Sequence, residues 1–78
     1  MEITIIGNGF ELERLKEKYE KCKIIETCNP FEIKYRELIG CGIVFICISY
    51  DDRLLIFLTL LKRMLPELII VIISSFSC

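Results

Sequence analysis

Four short apolar runs constrain the fold of this chain more than any other feature. They occupy residues 2–7, 23–27, 43–49 and 68–74, and isoleucine is the commonest residue in them. The first, third and fourth runs lack the polar alternation of a half-exposed strand, which is typical of strands covered on both faces of a parallel sheet. The runs therefore predict four strands.

Helical periodicity separates these predicted strands. After the first run, charged residues fill one face of a helix whose apolar face is formed by Leu12, Leu15, Tyr19 and Cys22. After the third run, a helix is predicted to begin at Ser49 or Asp51 and to run to Met64. This last helix is apolar on nearly every side, so we expect it to contact a second copy of the chain or another protein.

A capping sequence, "NPFE", predicts a further helix between the second and third strands. Asn29 is a favoured N-cap, Pro30 occupies the first helical position, and Glu32 has the spacing of a capping box. Gly40 is expected to end this helix, whose predicted apolar stripe is Phe31, Tyr35 and Leu38.

The alternation of four strands with three helices predicts an α/β fold. Apolar strands joined by right-handed crossovers form a parallel sheet, and we expect the order 2-1-3-4 in a small three-layer, Rossmann-like domain spanning residues 1–78. In such sheets, ligands bind at the carboxyl ends of the strands, beside the point where the strand order reverses. Here those ends are "GNGF" at residues 7–10 and "SYDD" at residues 49–52.

Charge and composition exclude several classes of function. The chain has a net charge of −1 and a sequence pI near 5.4, so it lacks the basic field typical of nucleic-acid binding. Charged residues interrupt its apolar stretches before they reach the roughly 20 residues of a membrane-spanning helix. We expect a cytoplasmic protein, and its richness in lysine and glutamate is typical of thermophiles.

The cysteines form neither a zinc-binding pattern nor an evident disulfide framework. Their number is odd, no two are spaced as C-x-x-C, and the chain has no histidine. We expect reduced, mostly buried thiols and no bound metal, with a metal site of Cys22, Cys28 and Cys41 as the alternative; the complete set is Cys22, Cys28, Cys41, Cys47 and Cys78.

The segment after the first strand matches part of the dinucleotide-binding fingerprint G-x-G-x-x-G. Gly7 and Gly9 correspond to its first two glycines, which form the tight turn and let the backbone approach a pyrophosphate at a helix N-terminus. Glu26 corresponds to the acidic residue that binds the ribose, while Leu12 stands where the third glycine is expected. The segment is either a phosphate-binding loop or a structural turn in which Asn8 tolerates unusual backbone angles.

The candidate ligand-binding residues are therefore Gly7, Asn8, Gly9, Phe10, Glu26, Ser49 and Asp51. Each of these polar residues also has a structural explanation. Ser49 or Asp51 can cap the last helix, and Glu26 can be a solvated carboxylate at the end of a strand. No catalytic set is expected, because there is no histidine and no cysteine has an evident activating base.

The chain resembles the nucleotide-binding domain of potassium-uptake regulators, the Trk-type or RCK domain of the Rossmann class. The resemblance lies in "ITIIGNGFELERLKEKY", in Glu26 at the end of the second strand, and in "IGCGIVFICISYDDRLLIFLTLLKRMLPELIIVIIS". It implies a regulatory module that responds to NAD(H) or ATP, assembles in pairs and acts on a transport protein.

Three departures from that family are visible in the sequence. Leu12 replaces the third glycine, the stretch between Glu26 and Ile43 is too short for the family's additional strand and helix, and the chain stops before the last helix and strand. We therefore expect a shortened, non-enzymatic module that binds NAD or another adenine nucleotide. The alternative is a ligand-free interaction module that forms homodimers, or binds a partner protein, through the helix from Asp51 to Met64.

Overall fold

The computed structural model describes residues 2–73. Its elements are β1 (Ile3–Gly7), α1 (Gly9–Lys18), β2 (Lys23–Glu26), two 3₁₀ turns (Pro30–Glu32 and Tyr35–Leu38), β3 (Ile43–Cys47), α2 (Asp52–Met64) and β4 (Ile69–Ile72). All neighbouring strands pair in parallel, in the order β2-β1-β3-β4. The α/β class and the predicted Rossmann-like strand order are confirmed, while Ser74, the predicted end of the fourth strand, lies outside the described residues.

One face of the sheet is covered by α1. Leu12 of this helix packs against Ile5, Phe45 and Cys47 on the two central strands. The ring of Tyr19, just beyond the helix, stacks on Phe45 with their centroids 5.2 Å apart. The apolar positions predicted from helical spacing therefore do face the sheet, and the charged side of α1 faces solvent.

The opposite face is covered by α2 and the 3₁₀ turns. Leu54, Phe57 and Leu61 of α2 are fully buried, and they pack on side chains from β1 and β3 such as Ile6 and Ile46. Successive residues of a strand point to opposite faces, so Ile5 and Ile6 belong to different sides of the core. The two central strands are buried on both faces for this reason, as their continuous apolar sequence predicts.

Residues 2–73 contain two α-helices rather than the three predicted, because the segment after β2 forms 3₁₀ turns. Asn29 does cap the first turn, and its Oδ1 accepts a hydrogen bond from the Phe31 N–H at 3.0 Å. The backbone then becomes extended at Ile33 (φ −82°, ψ 128°), which places the Ile33 side chain in the core. A continuous helix is prevented there, and Phe31, predicted to lie on its apolar stripe, is half-exposed instead.

The capping box predicted at this turn also has different hydrogen-bond partners. The Glu32 carboxylate does not reach back to the Asn29 N–H; it accepts a hydrogen bond from the Thr27 hydroxyl at 3.0 Å. The Asn29 N–H instead donates to that hydroxyl at 3.1 Å. Thr27 therefore organises the turn that follows β2.

The helix predicted to run to Met64 is present as α2, with Asp51 as its N-cap. Its buried residues are confined to one face within residues 2–73, and the contact with a second copy or another protein that the sequence predicts for the other face stays a prediction. The apolar side chains that it leaves substantially exposed are Leu55, Ile56, Leu60 and Met64. Within the described residues, neither helix is long and apolar enough to cross a membrane.

Candidate functional site

The carboxyl ends of three strands lie side by side and bring together several residues predicted from the sequence. Gly7 at the end of β1 is in register with Glu26 of β2 on one side and with Cys47 of β3 on the other. Ser49 follows β3 by two residues. The point where the strand order reverses therefore lies between β1 and β3, where the sequence predicts a ligand site.

Gly7 is required by sheet packing. A Cβ atom at this position would lie 2.4 Å from the carbonyl oxygen of Cys47 and 2.6 Å from its Cβ. Its φ of +148° is also a conformation that residues with a side chain rarely adopt. The contact with β3 explains this glycine fully, whether or not a ligand is bound.

Gly9 is required for a different reason. Its φ is +79°, and an added Cβ would meet no atom within 4 Å, so the space in front of the Gly9 backbone is open. This combination is what a loop needs for the close approach of a ligand to its backbone. The two glycines of the partial fingerprint thus have separate roles, one in the sheet and one at an open surface.

Asn8 links the β1 and β2 loops rather than holding an unusual backbone angle. Its backbone is extended, and within residues 2–73 positive φ angles occur at glycines alone. The Asn8 Nδ2 donates to the carbonyl oxygen of Thr27 at 3.2 Å, and the Thr27 N–H donates to the carbonyl oxygen of Gly7 at 2.9 Å. The unusual backbone angle expected for Asn8 in a structural turn is therefore absent, while both alternatives for the loop stay open.

The N-terminus of α1 is open because Asn8 is engaged elsewhere. Asn8 occupies the N-cap position, yet its side chain makes no capping hydrogen bond to the first turn. That turn borders a depression of about 230 Å³, lined by Asn8, Gly9, Phe10, Glu11, Cys47, Ile48, Ser49 and Ile73. Backbone N–H groups at a helix N-terminus attract anions, so this depression is a suitable position for a phosphate group.

Phe10 marks the outer side of this depression. It is the most exposed large apolar residue described, at 74%. The guanidinium of Arg14, one turn later in α1, lies over its ring at 5.8 Å from the centroid. An exposed aromatic ring beside an open helix N-terminus offers a flat surface on which a base or sugar can pack.

The electrostatics of the depression combine an attractive helix terminus with one carboxylate. Glu11 lies in the first turn of α1, where a negative charge is favourable to the helix dipole. Burial raises the pKa of the Cys47 thiol above its ordinary value, and the charge of Glu11 raises it further. At neutral pH, Cys47 is therefore a protonated thiol and a poor nucleophile.

Glu26 and Asp51 lie at the same edge of the sheet but do not line the depression. Glu26 is exposed at the end of β2, next to Gly7. Asp51 is the N-cap of α2: its carboxylate accepts from the Leu54 N–H at 3.0 Å and pairs with Arg53 at 3.2 Å. The hydrogen bond from Leu54 is the main cause that holds the pKa of Asp51 below its ordinary value.

Leu12, which occupies the position of the third glycine, is a core residue. Its side chain is only 1% exposed and packs on the sheet. The third glycine of the fingerprint normally allows close approach of helix and strand, whereas here a leucine fills that space. The departure from the fingerprint therefore affects the packing of α1 on the sheet and leaves the Gly9 loop open.

The cysteines do not assemble into a metal site among residues 2–73, where no three histidine, cysteine or acidic side chains are grouped to hold an ion. The Sγ atoms of Cys22 and Cys41 donate to the carbonyl oxygens of Tyr19 and Ile43, each at 3.0 Å. Cys28 is exposed and Cys47 is buried, so the expectation of mostly buried thiols holds only in part. The alternative of a site built from Cys22, Cys28 and Cys41 gains no support.

A larger depression, of about 550 Å³, lies at the amino ends of the strands, opposite the predicted site. The sequence does not predict this depression, because the rule for parallel sheets places ligands at the carboxyl ends of the strands. The ammonium of Lys23 there donates to the carbonyl oxygen of Glu37 at 3.0 Å. The charged residues that line this depression are Glu2, Lys21, Lys23, Arg36 and Glu37.

Comparison with protein-family models, curated proteins and solved structures finds no match for this chain. The described residues define an α/β chain of Rossmann-like topology. The structure supports the strand order β2-β1-β3-β4 with interleaved helices, which is Rossmann-like, and no comparison identifies an RCK-type domain.

Proposed function

We propose that this chain is a small, non-enzymatic module that binds the phosphate group of a nucleotide at the N-terminus of α1. The observation that supports the proposal is the uncapped first turn of α1, which opens beside Gly9 at the reversal point of a parallel sheet. Phosphates bind at this place in Rossmann-type sheets because the helix dipole and the free N–H groups both favour negative charge.

The size of the depression indicates how a nucleotide would lie. At about 230 Å³ it is smaller than the roughly 300–1,000 Å³ of pockets that enclose whole small molecules. A phosphate occupies it in this proposal, and the rest of the nucleotide extends across the open edge. Glu26, exposed beside Gly7, is then placed to accept hydrogen bonds from ribose hydroxyls, and Phe10 to contact the base or sugar.

Binding rather than catalysis is the function that these groups favour. The thiol in the depression, Cys47, has a raised pKa and is protonated at neutral pH. Asp51 is committed to capping α2 and to its pair with Arg53. The resemblance to RCK-type domains favours NAD and ATP as the first ligands to test, in a regulatory module that acts on another protein.

Calorimetric titration with NADH, NAD, ATP and AMP tests the proposal, with thermal unfolding as a second readout. A ligand at 100 times its dissociation constant stabilises a protein by about 2.7 kcal/mol. About 1 kcal/mol shifts the Tm of a domain of this size by about 4–8 °C, so binding is readily visible. The absence of both heat and a Tm increase with all four nucleotides would contradict the proposal.

A matched pair of glycine variants ties any binding to the loop. Gly9→Ala and Gly40→Ala each place a side chain at a similar positive φ, +79° and +87°, and neither added Cβ would clash with another atom. Both are expected to lose roughly 1 kcal/mol of stability through backbone strain. Only Gly9→Ala is expected to abolish nucleotide binding, because Gly40 lies at the amino end of the sheet.

A second candidate function is a ligand-free interaction module, and the exposed outer face of α2 favours it. Ile56, Leu60 and Met64 follow each other at i, i+4 and i+8, so they form one stripe, and each is between 41% and 57% exposed. A second copy or a partner protein would cover this stripe. If it does, sedimentation of the chain shows self-association, or binding of a partner, that Ile56→Lys removes.

A further inference from the structure

The β4 strand is an edge of the sheet whose outer hydrogen-bonding groups are unused within residues 2–73. The N–H groups of Ile69 and Ile73 donate to the carbonyl oxygens of Gly42 and Ile46, so these residues face β3. Because strand residues alternate in the direction of their backbone groups, Val71 also faces β3. The N–H and C=O groups of Ile70 and Ile72 consequently point away from the sheet.

Between Ile69 and Ile72, this edge lacks the features that normally protect a sheet edge from pairing; the Lys62 ammonium binds the carbonyl oxygen of Leu68, one residue before the strand begins. Residues 68–73 contain no charge, no proline and no glycine, and Ile72 is 40% exposed. At the other edge, β2 carries exposed charges at Lys23 and Glu26, and the Lys23 ammonium is fixed on the carbonyl oxygen of Glu37. Natural proteins blunt their edges with charges of that kind, so the asymmetry singles out β4.

We propose that β4 pairs antiparallel with β4 of a second copy of this chain, about a two-fold axis at Val71. Ile70 of one copy then lies opposite Ile72 of the other, and each such pair exchanges two backbone hydrogen bonds. The arrangement joins two four-stranded sheets into one continuous sheet. A second copy fits because the edge is self-complementary: every position is neutral and apolar, so the two-fold axis brings no like charges together.

The neighbouring helix supplies additional contacts to this interface. The Lys62 ammonium donates to the carbonyl oxygen of Leu68 at 3.2 Å, so the flank of α2 that carries Lys62 faces the beginning of β4. Leu55 lies seven residues earlier, on the same flank, and is substantially exposed. Antiparallel pairing about this axis places the α2-covered faces of both sheets on the same side. Leu55 of each copy therefore lies near the junction between the two β4 strands.

The contact is small, which determines how it must be measured. Four strand residues and one helix residue in each copy cover less than the roughly 800 Å² per partner of a standard stable interface. We therefore expect a concentration-dependent dimer rather than a permanent one. Sedimentation velocity of the full chain, from about 10 µM to about 1 mM under reducing conditions, covers the relevant range of dissociation constants.

Three variants of one residue test the proposed register. Ile72→Lys places like charges close together across the two-fold axis and is expected to weaken association at least about tenfold. A mixture of Ile72→Lys with Ile72→Glu is expected to restore it. Ile72→Pro removes one outward N–H but no bond to β3, and is likewise expected to sediment as a monomer.

The matched control is Ile39→Lys, which makes the same substitution at an exposed isoleucine that belongs neither to β4 nor to the outer stripe of α2. It is expected to dimerise like the unmodified chain, with circular dichroism showing that all variants are folded. The proposal is overturned if the unmodified chain stays monomeric up to about 1 mM. It is also overturned if Ile72→Pro dimerises normally, or if Ile56→Lys alone removes the dimer.

Discussion

Replacing Leu12 by glycine restores the complete G-x-G-x-x-G fingerprint, and we predict that this change strongly destabilises the chain instead of improving nucleotide binding. Leu12 is 1% exposed and fills the space between α1 and the sheet. Its neighbours Ile5, Phe45 and Cys47 belong to strands held in register by their ladders, so they cannot close over the space that glycine leaves. The perturbation therefore creates a cavity.

The expected magnitude follows from two effects. Removing a buried leucine side chain down to Cβ costs about 2–5 kcal/mol, and glycine inside a helix costs roughly 1 kcal/mol more than alanine. The sum, about 3–6 kcal/mol, compares with a total stability of roughly 4–12 kcal/mol for a domain of this length. We therefore expect Leu12→Gly to lose a large fraction of the stability of the chain, several times the loss expected from helix propensity alone.

Urea denaturation followed by far-UV circular dichroism measures the effect. The matched control is Glu13→Gly, which changes the next residue of α1 at an exposed position and is expected to lose about 1 kcal/mol, mainly the cost of helix propensity, since its exposed ion pair with Lys16 contributes little. The reasoning is refuted if Leu12→Gly loses no more stability than Glu13→Gly and binds a nucleotide more tightly. Leu12 would then be a tolerated departure from the fingerprint with no packing role.

Three further predictions concern the site and its surroundings. Gly7→Ala forces a Cβ against Cys47 and should lower the free energy of unfolding by at least about 3 kcal/mol, whereas Gly9→Ala loses about 1 kcal/mol; urea midpoints compare them. Glu11→Gln should tighten binding of ATP in calorimetry, and should lower the pKa of Cys47, measured by pH-dependent alkylation and mass-spectrometric mapping. An unchanged pKa of Cys47 would show that the charge of Glu11 does not act on the thiol. Asp51→Ala should lower the urea midpoint at pH 7. Because the pKa of Asp51 is depressed in the folded state, its stabilisation is present above the unfolded carboxyl pKa of about 3.9 and is lost as the pH falls through the lower folded pKa; a difference between the two proteins that does not shrink as the pH falls below about 3.9 contradicts this.

The sheet could be predicted from the sequence because its signals are local and strong. Short apolar runs predicted all four strands, three of them without polar alternation, and the right-handed crossover rule predicted their order. The helix predicted between the second and third strands does not form for a reason that is not local. The cap at Asn29 starts a turn as predicted, but burial of Ile33 on a distant part of the core ends it, and a local capping signal carries no information about that contact.

The site could be located but its roles could not be assigned from sequence. In the sequence, Gly7 and Gly9 look equivalent as fingerprint glycines. In the structure, Gly7 is required by its contact with Cys47, forty residues away in the chain, whereas Gly9 lies at an open surface. The bond from Asn8 to Thr27 likewise depends on the pairing of β1 with β2. The sequence does not distinguish Asp51 from Ser49 as the cap of the last helix, whereas in the structure the Leu54 N–H donates to the Asp51 carboxylate.

The most direct test of phosphate binding at the N-terminus of α1 is a titration of ¹⁵N-labelled chain with ATP, followed by amide chemical shifts. Up to about 5 mM ATP, which covers even millimolar dissociation constants, the largest shifts are predicted at the amides of Gly9, Phe10, Glu11 and Ser49. Unchanged spectra, or shifts confined to the opposite edge around Lys21 and Arg36, would contradict the account.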